Sequence, residues 1–157
     1  MKILLLAIGK TDEEYLITGI KKYVGRLGHY VSFEMKEIPD IRNRKTLSEE
    51  QQKKAESFLL LQQLQPGDHV VLLDENGKQY TSVAFSENME KLMASGAKRI
   101  VFVIGGPYGF AQEVYDKADA KLSLSPMTFS HQMVRLVFVE QLYRAFTLLK
   151  GEPYHHN

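Results

Sequence analysis

The 157-residue sequence contains no cysteine. That excludes disulfides, thiolate metal sites and a cysteine nucleophile, and it leaves the redox compartment open. A strong net charge is missing too. Twenty Lys and Arg stand against 19 Asp and Glu, for a net +1, so global charge argues neither for nor against a nucleic-acid partner. Long apolar runs are also missing. The opening "MKILLLAIGK" holds seven apolar residues, far short of the ~20 that a membrane span needs, and no small-residue cleavage site follows it. A buried first strand in a cytoplasmic protein, away from membranes, is the expectation. There is no repeat, low-complexity tract or linker, so residues 1–157 read as a single domain. A G-x-G-x-x-G fingerprint, a phosphate loop with its lysine and a G-x-S-x-G elbow are all absent. These absences weigh against a dinucleotide binder, a nucleotide-phosphate binder and an α/β hydrolase.

What is present alternates strand with helix. Lys2 to Ile8 reads as a buried strand, and Thr11 with Glu14 as a capping box opening a helix that Gly28 ends. Val31 to Ile38 has the alternation of a half-exposed strand. Pro39 to Lys45 is a polar loop. Ser48 with Gln51 is a second capping box, for a helix reaching about Leu64. His69 to Asp74 is a strand after which "ENGK" turns, and Ser82 to Ser95 is helical. Arg99 to Gly106 is a wholly apolar strand, Phe110 to Lys117 a short helix, and Ala120 to Ser125 a last short strand. A final helix runs from Ser130 to Lys150. This order predicts an α/β fold with a mainly parallel sheet and helices on both faces. The last helix is apolar on nearly every side, with only Glu140 and Arg144 marking a polar sector. One small sheet buries one side of a helix, so the surplus favours a homodimer.

Between Lys21 and Lys45, seven basic residues, Arg42, Arg44 and Lys45 among them, face three acids. This is either a solvated face or a surface that contacts phosphates. "VFVIGGPYGF", Val101 to Phe110, ends a buried strand in bare backbone. Alone, such a turn reads as structural. In an open α/β sheet, however, ligands bind beyond the carboxyl ends of the strands. Two more strand ends, at Leu73-Asp74 and in "KLSLSPMTFSHQMVR", complete three loops around one planar ligand.

These segments carry a resemblance. "FVIGGPYG", "LSLSPMTFSHQMVR", "VEQLYRAF", "LLDENGK" and the terminal "GEPYHH" resemble the small bacterial methyltransferases called ribosomal RNA large subunit methyltransferase H, of the SPOUT class. The likeness runs the length of the chain. It implies a sheet tied in a C-terminal trefoil knot, which periodicity alone does not predict. It implies methyl transfer from S-adenosylmethionine to N3 of a pseudouridine in 23S rRNA, on assembled ribosomes. By the same resemblance the cofactor pocket uses Leu73, Gly105, Leu124, Ser125, Pro126, Met127, Thr128 and Phe129. Tyr154 and His155 become the leading candidates for the pseudouridine site, reaching it from their own chain or from a second copy.

The sulfonium donor is already activated, so the protein must orient it against N3 and manage one proton. His131 and Arg135, one helical turn apart beside the cofactor loop, are candidates to face a base or a phosphate. For each there is also a structural reading, a capping histidine and an ion-paired arginine. Arg144 is a candidate RNA contact, but its i,i+4 spacing from Glu140 fits a simple ion pair. "PYHH" on its own reads as a loose tail. No Cys or carboxylate set joins His131, His155 and His156, so no metal is expected. The other function class is a non-enzymatic ribosome-binding or assembly factor, against which the three-loop pocket speaks.

Overall fold

Alternating strand and helix signals resolve, in the computed structural model of residues 1–156, into one sheet in which every pairing is parallel. Its strands are β1 (Lys2–Ile8), β2 (Ser32–Ile38), β3 (Asp68–Gln79), β4 (Arg99–Ile104) and β5 (Ala120–Ser123), in spatial order β2-β1-β4-β3-β5. The inner strands β1 and β4 are buried almost throughout. Helices cover them from both sides, which is why they read as unbroken apolar runs. Edge strand β2 keeps the alternation of a half-exposed strand.

The helices are α1 (Glu14–Leu27), α2 (Glu49–Gln62), α3 (Ser82–Met93), α4 (Gln112–Lys117) and α5 (Met133–Leu149). α1, α3 and α5 share one core with the sheet, built on Leu16, Met89, Phe138 and Leu142 against Ile3, Leu5 and Phe102. α2 and α4 cover the other face through Leu60 and Val114. α5 packs against both α1 and α3, and its Phe138 ring lies 4.7 Å from that of Phe102. Flanking helices as well as the sheet therefore absorb most of the apolar surface of α5. Leu142 and Phe146 belong to the core of this chain. The surplus that the sequence assigned to a second molecule shrinks to half-buried side chains such as Leu136 and Val137.

Local signals fare unevenly. The Ser48–Gln51 capping box is formed in both directions. The Thr11–Glu14 box is not: α1 starts at Glu14 without a side-chain cap. The Thr11 hydroxyl instead donates to Glu37 Oε2 at 2.6 Å. "ENGK" does not turn either. β3 continues to Gln79, and its register against β5 shifts between Leu73 and Lys78. At that shift Gly77 lies against the backbone of β5, and a Cβ there would stand 2.7 Å from the Leu122 nitrogen. β5 ends at Ser123, and α5 begins three residues later than its apolar pattern predicts.

Gly77→Ala is therefore expected to lower stability by about 1–3 kcal/mol in urea unfolding, the cost of overpacking against a backbone that cannot yield. Gly25→Ala, in α1 with open space around it, should shift stability the other way by about 0.5–1 kcal/mol. Equal effects from the two would refute the close approach at Gly77.

Candidate functional site

Three chain segments meet where the parallel strands end. They are the middle of β3, the loop after β4, and the connector from β5 to α5. They enclose a cavity of about 590 Å³. Leu73, Gly105, Leu124 and Ser125 line it, as do Met127, Thr128, Phe129 and His131. Pro126 lies within the connector without lining the cavity.

The loop after β4 is shaped by its small residues. Gly109 N–H donates to the Gly106 carbonyl at 3.2 Å, closing a turn with Pro107 and Tyr108 at its centre. Gly109 has φ +80°, which explains the glycine there. At Gly105 the constraint is space: a Cβ would meet the Phe110 ring at 3.1 Å. Ser57 of α2 anchors the loop from behind, its hydroxyl accepting the Ala111 N–H at 3.0 Å.

The connector is tied down along its length. Ser125 Oγ accepts from Met127 N–H at 3.0 Å, and the Thr128 hydroxyl donates to Glu75 Oε2 at 2.8 Å, joining connector to β3. Met127 stays 78% exposed at the rim. On the opposite wall the Tyr115 hydroxyl donates to Asp74 Oδ2 at 2.6 Å. Burial, with Asp74 beside it, pushes that phenol up to about 12, so it remains a donor. His131 lines the cavity as a neutral imidazole at neutral pH, since burial and then Arg135 lower its pKa.

Arg135 does not face the cavity, which corrects its candidacy as a catalytic group. It is fully buried. Its Nη2 donates to the Ile8 carbonyl at 2.7 Å and its Nη1 to the Gly9 carbonyl at 2.8 Å. Nη1 also reaches Thr11 Oγ1 at 3.0 Å and Glu37 Oε2 at 3.3 Å, and Nε donates to the His131 carbonyl at 3.0 Å. Gln132 next to it bridges Asp12 N–H and the Lys10 carbonyl, each at 3.0 Å. The start of α5 is thus bolted to the end of β1. Periodicity reveals which side of a helix a residue occupies, but not that the facing surface offers a buried set of backbone carbonyls, a hydroxyl and a carboxylate.

Tyr154, His155 and Arg144 gather elsewhere. Arg144 donates to Glu140 Oε1 at 2.6 Å, stands 3.0 Å from His155 Nδ1, and lies over the Tyr154 ring at 4.8 Å. The Tyr154 hydroxyl donates to Glu140 Oε1 at 3.0 Å, and its ring meets Tyr143 edge-on at 4.7 Å. Burial raises its pKa, helped by the bonds to Tyr23 and Glu140, and keeps it protonated. The tail is therefore held, not loose. The Glu140–Arg144 pair exists as the spacing implied. Along α5, Glu140 stands six residues and Arg144 ten beyond Val134 at the cavity, rises of ~9 and ~15 Å, and none of the three tail-cluster residues lines the cavity of its own chain.

Arg42, Arg44 and Lys45 are exposed on the loop after β2, where Arg44 pairs with Asp40 at 3.1 Å. Asp40 and Arg44 both act on the charge of His131, so this loop lies within electrostatic range of the cavity wall without lining the cavity. Among the described residues no three His, Asp or Glu side chains converge to hold a metal ion, and no helix is long and apolar enough to cross a membrane. Sequence reasoning also passed over Glu56, buried in α2 beside Gly106. The run "EEQQKKAES" disguises it as one more exposed charge.

A family model described as "Predicted SPOUT methyltransferase" matches residues 1–155. Among curated relatives, the chain is 60% identical to the ribosomal RNA large subunit methyltransferase H of Parabacteroides distasonis. It is 61% identical to that of Christiangramia forsetii and 56% to that of Bacteroides fragilis. Each alignment spans 156 residues, 99% of both chains.

Arg135→Ala is expected to destabilise the protein by about 3–5 kcal/mol, as removal of one partner from a buried, hydrogen-bonded charge does. Arg135→Lys should recover little of this, since an ammonium cannot span the same acceptors. Urea unfolding measures both. A stable but inactive Arg135→Ala protein would restore the residue to the active site.

Proposed function

The chain belongs to the SPOUT methyltransferase family, whose knotted α/β fold that membership implies, and from this premise we propose a specific reaction. It transfers the methyl group of S-adenosylmethionine to N3 of a pseudouridine in 23S rRNA of assembled ribosomes. On this reading residues 1–157, of which Asn157 lies outside the described residues, act as one domain in the cytoplasm. The observation that carries the proposal is the cavity at the strand ends, built by the three segments that the sequence singled out. Its residues fit an adenosyl ligand. About 590 Å³ suits a ligand of that size. Leu73, Ile104 and Leu122 offer an apolar floor, while Ser123 and Ser125 add a few polar groups.

When bound, the sulfonium supplies an activated methyl group, and the chain's own residues do the rest. The three loops exclude water and fix the approach of the base. Neutral His131, on the cavity wall, is the candidate acceptor of the N3 proton. Exposed Arg42, Arg44 and Lys45, of which Arg44 acts on the charge of His131, suit phosphates of the rRNA.

Tyr154 and His155 are read as reaching this site from a second copy, because ~9 Å of α5 separates Glu140, which holds Tyr154, from Val134 at their own cavity, and ~15 Å separates Arg144, which holds His155. We therefore read the active form as a homodimer in which each tail completes the other copy's pocket. An assembly factor without catalysis remains the other class, and it is excluded once label appears in rRNA.

The test uses ribosomes lacking the modification and S-adenosylmethionine labelled at its methyl group. Label should enter large-subunit rRNA; intact ribosome binding without transfer would sink the enzymatic reading. A chain ending at Glu152 should bind the donor but transfer at least ~100-fold more slowly. Gly105→Val should lose donor binding, because its side chain must displace Phe110. Mixing the two defective chains should restore transfer through heterodimers. No recovery would mean that the tail does not act across copies. Replacing Arg42, Arg44 and Lys45 by alanine should flatten the salt dependence of ribosome binding, by up to ~0.7 per lost phosphate contact. An unchanged slope would make that loop a solvated face.

A further inference from the structure

α2 carries an ionisable group that the reaction as described leaves unused. Glu56 is 2% exposed. Gln52 Nε2 donates to its Oε2 at 3.2 Å, and Oε1 has no hydrogen-bond partner among the described residues. An unpaired buried carboxyl oxygen is costly and calls for an explanation. Its position offers one. Gly106 lines the cavity, and a Cβ on Gly106 would collide with Glu56 Oε1. The carboxyl therefore fills the space where a side chain at 106 would go, one glycine away from the cavity.

The surroundings leave the charge of Glu56 uncommitted. Leu4, Leu6 and Ile8 of β1 and Val114 of α4 form the apolar core under α2. The charges that act on Glu56 come from the loop after β2, where Asp40 raises its pKa and Arg44 lowers it. Arg44 already pairs with Asp40. Burial dominates and holds the carboxyl above its ordinary range. A group raised in this way adds stability below the ordinary carboxyl range and loses it as pH rises through the shifted value. A cation in the cavity offsets that loss, because it favours the ionised form.

We propose that Glu56 is the counter-charge by which the cavity distinguishes a cationic methyl donor from its uncharged, demethylated product. This rests on the methyl-donor reading above. The donor carries a sulfonium where the product has a neutral thioether, and otherwise the two fill the same space. A carboxylate behind Gly106 attracts the first and is indifferent to that atom in the second, so product leaves more readily than donor. Glu56 touches neither ligand; it acts through the field across a glycine that has no side chain to intervene.

Calorimetry with S-adenosylmethionine and S-adenosylhomocysteine tests this on the intact protein. Glu56→Gln keeps the shape and the Gln52 contact, and it should unfold no more readily than the parent above neutral pH. It should weaken donor binding by roughly 10-fold, the scale of a single opposite charge acting over ~12 Å at an effective dielectric of ~20. Product affinity should change less than twofold, and Glu56→Asp should recover part of the difference. Donor binding by the parent protein, measured over a pH series in buffers of different ionisation enthalpy, should release a proton at the pH values where Glu56 is protonated in the free protein, and product binding should not. This second measurement decides the matter even if Glu56→Gln folds poorly. Equal loss for both ligands, no loss for either, or equal proton release would overturn the proposal. If the parent binds neither ligand, the methyl-donor reading itself fails.

Discussion

A guanidinium shut away from water must find oxygen acceptors for its N–H groups, and Arg135 finds them on segments more than ninety residues apart in sequence. The carbonyls of Ile8 and Gly9 close the end of β1, Thr11 and Glu37 add the loop beyond it and the end of β2, and His131 completes the set from the start of α5. Among the bonds of the described residues, no other side chain reaches so many distant pieces at once. It fixes where α5 begins, and therefore where the connector from β5 must run. Since the connector is one wall of the cavity, the placement of Met127, Thr128 and Phe129 is set by an arginine that is buried outside the cavity lining.

The other two walls depend on different physics. The loop after β4 is held by closeness: Gly105 under the Phe110 ring, Gly106 against Glu56, Gly109 in a left-handed conformation. The β3 wall is held by pairing, with Gly77 allowing a register shift that carries the strand past its own neighbour. One wall is thus bolted, one is wedged and one is woven into the sheet. All three rest on rigid elements, as a site that must align two reacting atoms requires.

How much of this the sequence revealed depends on the range of the interaction involved. The apolar runs of β1 and β4 and the Ser48–Gln51 box are local signals, and they were legible. Thr11 with Glu14 shows the same local pattern, yet a partner 26 residues away, Glu37, takes the hydroxyl. α5 was read correctly as apolar all round, but the helices that cover its flanks come from elsewhere in the chain. Arg135 and Glu56 were misjudged or missed for one reason: burial of a charge is decided by what folds over it. For the cavity, the strand-end rule identified the three segments, and the resemblance supplied the individual residues. Of these only Pro126 lies off the lining.

The double fastening of the connector also constrains its length. It leaves β5 at Ser123 and is clamped again at Gln132 and Arg135, with nine residues, 124 to 132, between strand and helix. Inserting or deleting one residue at the start of α5 would swing Arg135 by ~100° around the helix axis. The guanidinium would leave the carbonyls of Ile8 and Gly9 and enter the apolar core beside Phe138 or the cavity itself. Loops usually absorb insertions and deletions more easily than the elements they join. Here the usual order is reversed, and the chain between Leu124 and Arg135 should be among the stretches least able to change in length.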